Sequence, residues 1–506
     1  MQEQLSDFIA QHESRIAPFN DGLVTVHLRG SLTPGVEAGN GCADGLRKVL
    51  ADRDAFSRIR TYSHAPTIQD PLLKRQADVL YRLYLGFQVE PRLEDDLARV
   101  TEELRTSILG FRCDLGAGPI GWDDVWTLFG YGDDVRVRRE AWNKVMDLAD
   151  HVATMRLELV ALQNRGARPQ GFDDHRELGM LLNELDGFDI DPVLDGACTA
   201  TDRPFANLRT GVDRDLCELL NARRGFLGPW HYPNPLRVLV PWDAEFEGPP
   251  RKEAVTAVHA FLRRRNLLPT GGLNVATSTE RLKRDPWRIL VDMARLLPQT
   301  IDSLFREHAD QDLPESLRRS PHPILSTALW SIMSEELCSK DVLEGSLHLD
   351  PRGAARMRAR FRERHRREQL IAVRHARVLN HFERELYSDP GQDLNALWWD
   401  LLKTNLHINA RDEGRHPAWA ISRELLAPCG TAPHRGLGII AGAQIQDSLP
   451  PVARDASVLV DSEAAAMIRD LYLRPAAGRS WPEHLKQTTG RPLEARSFAE
   501  RFSVSP

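Results

Sequence analysis

Nowhere in the 506 residues is there a run of 18 apolar residues, so no stretch reads as a membrane-spanning helix. The first twenty residues carry acids and no apolar block, which argues against a signal peptide and sets a cytoplasmic location as the expectation. Cysteine is sparse: Cys42, Cys113, Cys198, Cys217, Cys338 and Cys429 are scattered, with no C-x-x-C, and read as small core residues in a reducing compartment. Cys429, which follows Ala427-Pro428, is the one to watch as a nucleophile. An excess of positive charge is also lacking. The net charge is −6, which gives no global pull toward nucleic acid or an anionic membrane, and neither is expected as a partner.

What the chain does have is helical periodicity. Hydrophobic residues at 42% and charged residues at 27% suit a soluble body with a sizeable core, and the length could hold two to four average domains or one continuous helical one. From Asp70 to Leu115, leucines recur at helical spacing on either side of a break at Gly86 to Pro91, and Asp70 before Pro71 reads as an amino-terminal cap. Polar turns are expected at Gly116 to Asp124 and Gly130 to Asp134, followed by a stripe from Ala141 to Leu162 that Gly166 and Gly171 end. The pattern then breaks at Gly228-Pro229-Trp230-His231-Tyr232, where His231 reads as a structural histidine ahead of a cleft residue. Gly271 to Ser278 is the one strand-like stretch, a candidate edge strand. The arginine-rich Arg352 to Glu368 segment reads as a solvated helix with a narrow apolar seam at Met357 and Phe361. Residues 1–54 are weakly patterned and suggest no role, whereas 55–506 reads as one helical body.

The centre of that body is Asp285 to Met333. Ile289, Leu290, Met293, Leu296, Leu297, Ile301, Leu304 and Phe305 form one apolar face, and Ile324, Leu325, Ala328, Leu329, Ile332 and Met333 another, so two antiparallel core helices are expected. Pro298 should either kink the first helix or begin it.

A helix, then Asp312-Leu313-Pro314, then a helix entered through Pro321-His322 resembles the zinc-site hairpin of bacterial zinc oligopeptidases related to angiotensin-converting enzyme. The likeness extends to Arg138 to Trp142 (R-x-E-A-W), to Asn164 and Ala167, to Gly171-Phe172, and to Pro229 to Tyr232 (P-W-H-Y). It is most detailed from His381 to Leu402, matching H-F-E-x-x-L-Y-x-D-P-x-Q-D-L-N-x-L-W-W-D-L through Phe382, Leu386, Tyr387, Asp389, Pro390, Gln392, Asp393, Leu394, Asn395, Trp398 and Trp399. Pro417, Trp419, Ala427, Pro428, Gly438, Gln444, Leu485, Gly490 and Pro492 continue it. The resemblance implies an all-α, oligopeptidase-like fold, mainly helical, with two subdomains around a deep channel and at most a small edge sheet.

The chemistry of that family is missing. The H-E-x-x-H window falls on Pro298, Gln299, Thr300, Ile301 and Asp302, and the glutamate ligand position on Thr327. One carboxylate among these cannot hold a catalytic zinc, which needs about three protein ligands, and an amide at Gln299 cannot serve as general base. Nor does an equivalent motif occur elsewhere, since His12-Glu13 is followed by Ile16 where a second histidine is needed. The tyrosine and histidine that hold the oxyanion in the family are replaced by Gly430 to Arg435, and Arg423 stands where an earlier histidine would be. No metal and no cofactor is therefore expected.

The vacated positions are polar rather than filled with Leu, Val or Phe, and polar groups buried without partners cost about 1 to 3 kcal/mol each. This leads to the expectation of a metal-independent enzyme acting on a small amino-acid-derived or peptide-like molecule in the former channel. Asp302 would act as base or bind an ammonium, and Gln299 would orient the substrate. Arg423 would hold a carboxylate, with Thr300, Thr327, His322, Thr431, His434 and Arg435 around the ligand. The rival expectation is a non-catalytic pseudo-peptidase that binds a peptide, small ligand or partner protein.

Overall fold

Helix starts are set by aspartates. Asp70 Oδ1 accepts the backbone N–H groups of Leu72 and Leu73 at 2.9 and 3.3 Å ahead of Pro71, and Asp285 Oδ1 accepts that of Trp287 at 3.0 Å ahead of Pro286. Each satisfies amide groups that a first helical turn leaves without a partner. The computed structural model describes residues 2–16, 41–116, 118–223, 225–236, 251–268, 285–409, 416–450 and 462–503. The fold is mainly α-helical, as the periodicity requires. The sheet described is one antiparallel ribbon of Arg112–Asp114 and Pro119–Gly121, with Cys113 opposite Ile120. Its second strand stands where the sequence suggests a polar turn and its first at the end of the stretch read as helical, and a helix at Trp122–Tyr131 follows it directly. Strands of three residues are too short to show an alternation. The candidate edge strand at Gly271 to Ser278 lies outside the described residues.

The chain divides into two compact units, the first comprising Met1–Asp189, Ala206–Ala244 and Arg374–Pro433, and the second Ile190–Phe205, Glu245–Val373 and His434–Pro506. In the first unit, the helices Gln2–Ile16 and Gly41–Leu50 contribute Leu5, Phe8, Ile9, Ile16, Leu46 and Leu50 to a core shared with Ile59, Leu80 and Tyr84. Residues from the first 54, for which the sequence suggests no role, are therefore part of that unit's packing. The helices Pro71–Leu85, Pro91–Leu109 and Val135–Ala167 appear where the leucine stripes place them.

Two sequence motifs of this unit meet physically. Arg138, on the long Val135–Ala167 helix, sends Nε to the Trp230 carbonyl at 2.7 Å and Nη2 to those of His231 and Tyr232, both at 3.0 Å. Its Nη1 donates to the Gly132 carbonyl at 2.9 Å. A single guanidinium thus satisfies four carbonyls, three in and just after the short helical turn Pro229–His231 and one just past the Trp122–Tyr131 helix. The His381 to Leu402 motif does comparable work. Asn164 Nδ2 donates to the Tyr387 carbonyl while its Oδ1 accepts the His175 N–H, both at 2.9 Å, and Asp393 Oδ1 caps the Leu394–Leu406 helix through Ala396 N at 2.9 Å. Trp419 Nε1 donates to Asn395 at 2.9 Å.

In the second unit, Pro286–His308 and Pro323–Glu336 form the expected antiparallel pair. Trp330 reaches Ala294 and Ser326 reaches Asp302, so residue numbers rise along one helix as they fall along the other. Pro298 lies inside a continuous helix. Because proline has no N–H, the carbonyl four residues earlier, that of Ala294, loses its helical partner. The Trp330 indole N–H takes that place at 3.3 Å.

The Pro323–Glu336 helix packs on His434–Ser448 through glycines. A Cβ at Gly438 would stand 2.5 Å from Thr327 Cβ and 2.9 Å from the Ile324 carbonyl oxygen; one at Gly442 would stand 2.9 Å from the Ala328 carbonyl oxygen. Gln444, fully buried, ties this helix to the closing turn, donating to Thr489 Oγ1 and to the carbonyls of Arg491 and Pro492, and accepting the Glu494 N–H at 3.1 Å. Gly438→Ala is expected to destabilise the protein by about 1–3 kcal/mol through overpacking. Gly211→Ala, in a helix with open space where the methyl would go, is expected to stabilise it by about 0.4–1 kcal/mol. Urea unfolding of the two variants, compared with the wild type, should give opposite signs.

Candidate functional site

The helix pair presents one stripe of polar side chains to solvent. Gln299, Asp302 and Arg306 are all exposed, and their spacing of three and then four residues puts them on a single face of the Pro286–His308 helix. Asp302 Oδ1 accepts from Ser326 Oγ at 3.5 Å, and Ser326 Oγ lies 2.5 Å from Ser320 Oγ, so a short hydroxyl chain ends on the carboxylate. Although Asp302 reaches solvent, the surrounding protein desolvates its carboxyl enough to raise it above the usual carboxylate range, while Arg306 and Ser326 draw it back. Arg306 makes no hydrogen bond or ion pair with the described residues.

The other expected positions in this unit are occupied by packing. Thr300 is buried, and its hydroxyl donates to the Leu296 carbonyl at 2.8 Å. Thr327 lies against Gly438. His322 caps the Pro323–Glu336 helix, its Nδ1 accepting the Ile324 N–H at 3.1 Å, and its ring sits 4.7 Å from that of His434 and 5.7 Å from that of Trp481. His434 is buried, its Nε2 has no hydrogen-bond partner among the described residues, and burial alone lowers its pKa to about 3, so the ring is neutral. Arg435 pairs with Glu368 and lies 5.7 Å from the Trp330 ring centroid.

Arg423 and Thr431 belong to the first unit. Arg423 is exposed and pairs with Asp123 at 3.1 Å; Thr431 closes its own turn, donating to the Pro428 carbonyl at 2.6 Å. Nearby, Glu383 accepts the Gly430 N–H at 3.1 Å and lies 3.8 Å from Arg176. Burial first, and Glu383 next, push the Cys429 thiol well above its ordinary value, so it stays protonated and serves as a packing group rather than a nucleophile.

Two further groupings carry no sequence motif. One is Arg306, whose value shows only beside Asp302. The other surrounds Glu335 in the second unit, which takes Arg501 at 3.1 Å, and the side-chain amides of Gln369 and Gln446 at 3.2 Å each. His365 Nε2 stands 3.7 Å from it. Burial pushes the Glu335 carboxyl up, but Arg501, His365 and the two amides outweigh that and hold it below its ordinary value. The five side chains come from four helices, so no spacing rule could have grouped them. Among the described residues, no three His, Cys, Asp or Glu side chains converge as metal ligands would.

Comparison with known proteins finds no family model that matches this chain and no curated protein that does.

His434 supplies a pH test. Its folded pKa lies below the unfolded value of 6.5, so the unfolded chain takes up the proton first, and stability falls as pH drops from 6.5 toward about 3. His434→Asn should lose stability less steeply than the wild type across that window, as measured by denaturant unfolding at successive pH values.

Proposed function

We propose that the chain descends from the zinc oligopeptidase architecture and works without zinc, as an enzyme acting on a small amino-acid-derived or peptide-like molecule at the Gln299–Asp302–Arg306 face. The observation that carries this reading is an exposed carboxyl with a raised pKa, joined to a hydroxyl chain and one turn from a guanidinium that makes no hydrogen bond or close ion pair among the described residues. A carboxylate whose pKa moves toward neutrality is a better proton acceptor at working pH than an ordinary surface aspartate. Asp302 takes a proton from the ligand, directly or through Ser326. Arg306 holds a ligand carboxylate, the role the sequence suggests for Arg423, whose guanidinium is paired with Asp123. Gln299 orients the ligand through its amide.

A non-catalytic binding role is favoured by one observation: His322 and His434, the two imidazoles expected around the ligand, are buried in packing. The readings separate on a panel of dipeptides and N-acyl amino acids incubated with the protein in EDTA-containing buffer. Product detected by mass spectrometry, lost in Asp302→Asn by at least about 100-fold with an unchanged melting temperature, supports the enzyme. Arg306→Met should raise KM more than it lowers kcat, as expected for a group that binds ligand equally in ground and transition states. Saturable binding with no product from any member of the panel would assign the protein as a binder.

A further inference from the structure

The first unit contains a cavity of about 170 Å³ lined by Gly130 to Asp133, Arg138, Leu216, Leu219, Leu220 and His231. It is well below the usual 300–1,000 Å³ of a cofactor or drug-sized site, so it admits something the size of one amino acid. Its walls are of two kinds. Leu216 and Leu220 are buried, while Tyr131 and Leu219 stand 56% and 54% exposed, among the most exposed large apolar side chains described. Such side chains, set around a cavity instead of scattered, form a ready apolar surface at its mouth.

The charges are the more telling feature. Arg138 is 3% exposed and faces four carbonyl oxygens, but no carboxylate among the described residues pairs with it. Asp133 is exposed and makes no hydrogen bond or ion pair with the described residues. Two opposite charges thus line one small cavity without neutralising each other, because the carbonyls pin the guanidinium in place. Two helices, Trp122–Tyr131 and Asp202–Leu219, also end at this cavity, and their carboxyl-terminal carbonyls favour a positive group.

We propose that this cavity binds a free, small, apolar α-amino acid as its zwitterion. The carboxylate faces Arg138, the ammonium faces Asp133 and the helix ends, and the aliphatic side chain packs among Leu216, Leu219, Leu220 and Tyr131. The site is independent of the Asp302 face, and neither reading needs the other.

The test is calorimetric titration of the full chain with L-leucine. Saturable binding is expected. Leucinamide, which lacks the carboxylate, and 4-methylpentanoate, which lacks the ammonium, should each bind at least about tenfold more weakly, the loss of one charge-assisted contact. L-tryptophan should bind more weakly than L-leucine for want of room. Asp133→Asn and Leu219→Ser, both exposed positions whose replacement leaves the Arg138 clasp intact, should each lower leucine affinity about tenfold with no change in melting temperature. Absence of saturable heat with leucine, valine and isoleucine overturns the proposal. So does binding that the two variants, or removal of either ligand charge, leave unchanged. Asp302→Asn should leave leucine binding as it is, which keeps the outcome separate from that of the enzymatic reading.

Discussion

The close approach of two helices at Gly438 and Gly442 is the constraint on which the second unit depends. Without side chains at those positions, the Pro323–Glu336 helix settles onto the His434–Ser448 backbone at distances a methyl group would forbid. Small neighbours, Thr327, Ala328 and Ser331, complete the fit. Once that helix is fixed, its other side determines what reaches the Pro286–His308 helix: Ser326 meets Asp302 and Trp330 meets Ala294. The polar face that reads as functional is therefore held by glycines on the far side of the helix opposite it.

Both units direct several of their buried polar groups to backbone carbonyls and amides. Arg138, Asn164 and Gln444 each satisfy backbone groups at helix ends or in the turns beside them. Such groups are the expected price of irregular chain inside a protein, and they explain sequence motifs without any appeal to a ligand. Against that background the informative residues are those left over. Asp133 makes no hydrogen bond or ion pair among the described residues, Arg306 interacts with Asp302 only through its charge, Asp302 has a single hydroxyl at the limit of hydrogen-bond distance, and all three reach solvent.

The helical framework was legible because its signals are local. An aspartate before a proline, and apolar residues three and four apart, fix helix starts and faces within a turn or two, as at Asp70 and Asp285. The antiparallel pairing of the two core helices followed from a polar turn between two apolar faces. The ribbon at Arg112 to Gly121 was not legible, since three-residue strands hold no period. The environment of individual site residues was less legible still. Arg423 meets an aspartate 300 positions earlier, and Thr300 turns back on its own helix, so identical residue types end in ion pairing or in packing according to contacts no window spans. Arg306 escaped notice for the opposite reason: an arginine in the last turn of a helix is unremarkable until the carboxylate beside it is seen to carry a raised pKa.

Pro298 carries a consequence for how this helix pair can change over generations. A proline within a helix costs roughly 3 kcal/mol, part of it from the stranded carbonyl, and an indole from the neighbouring helix recovers about 1 kcal/mol by covering that oxygen. Trp330 in turn, a half-buried residue, would lose this acceptor were Ala294 re-bonded within its own helix. Each residue thus makes the other tolerable, and the two form a ratchet: a drift back toward an ordinary residue at 298, or toward phenylalanine at 330, leaves its counterpart stranded, so the pair is expected to be inherited or abandoned together.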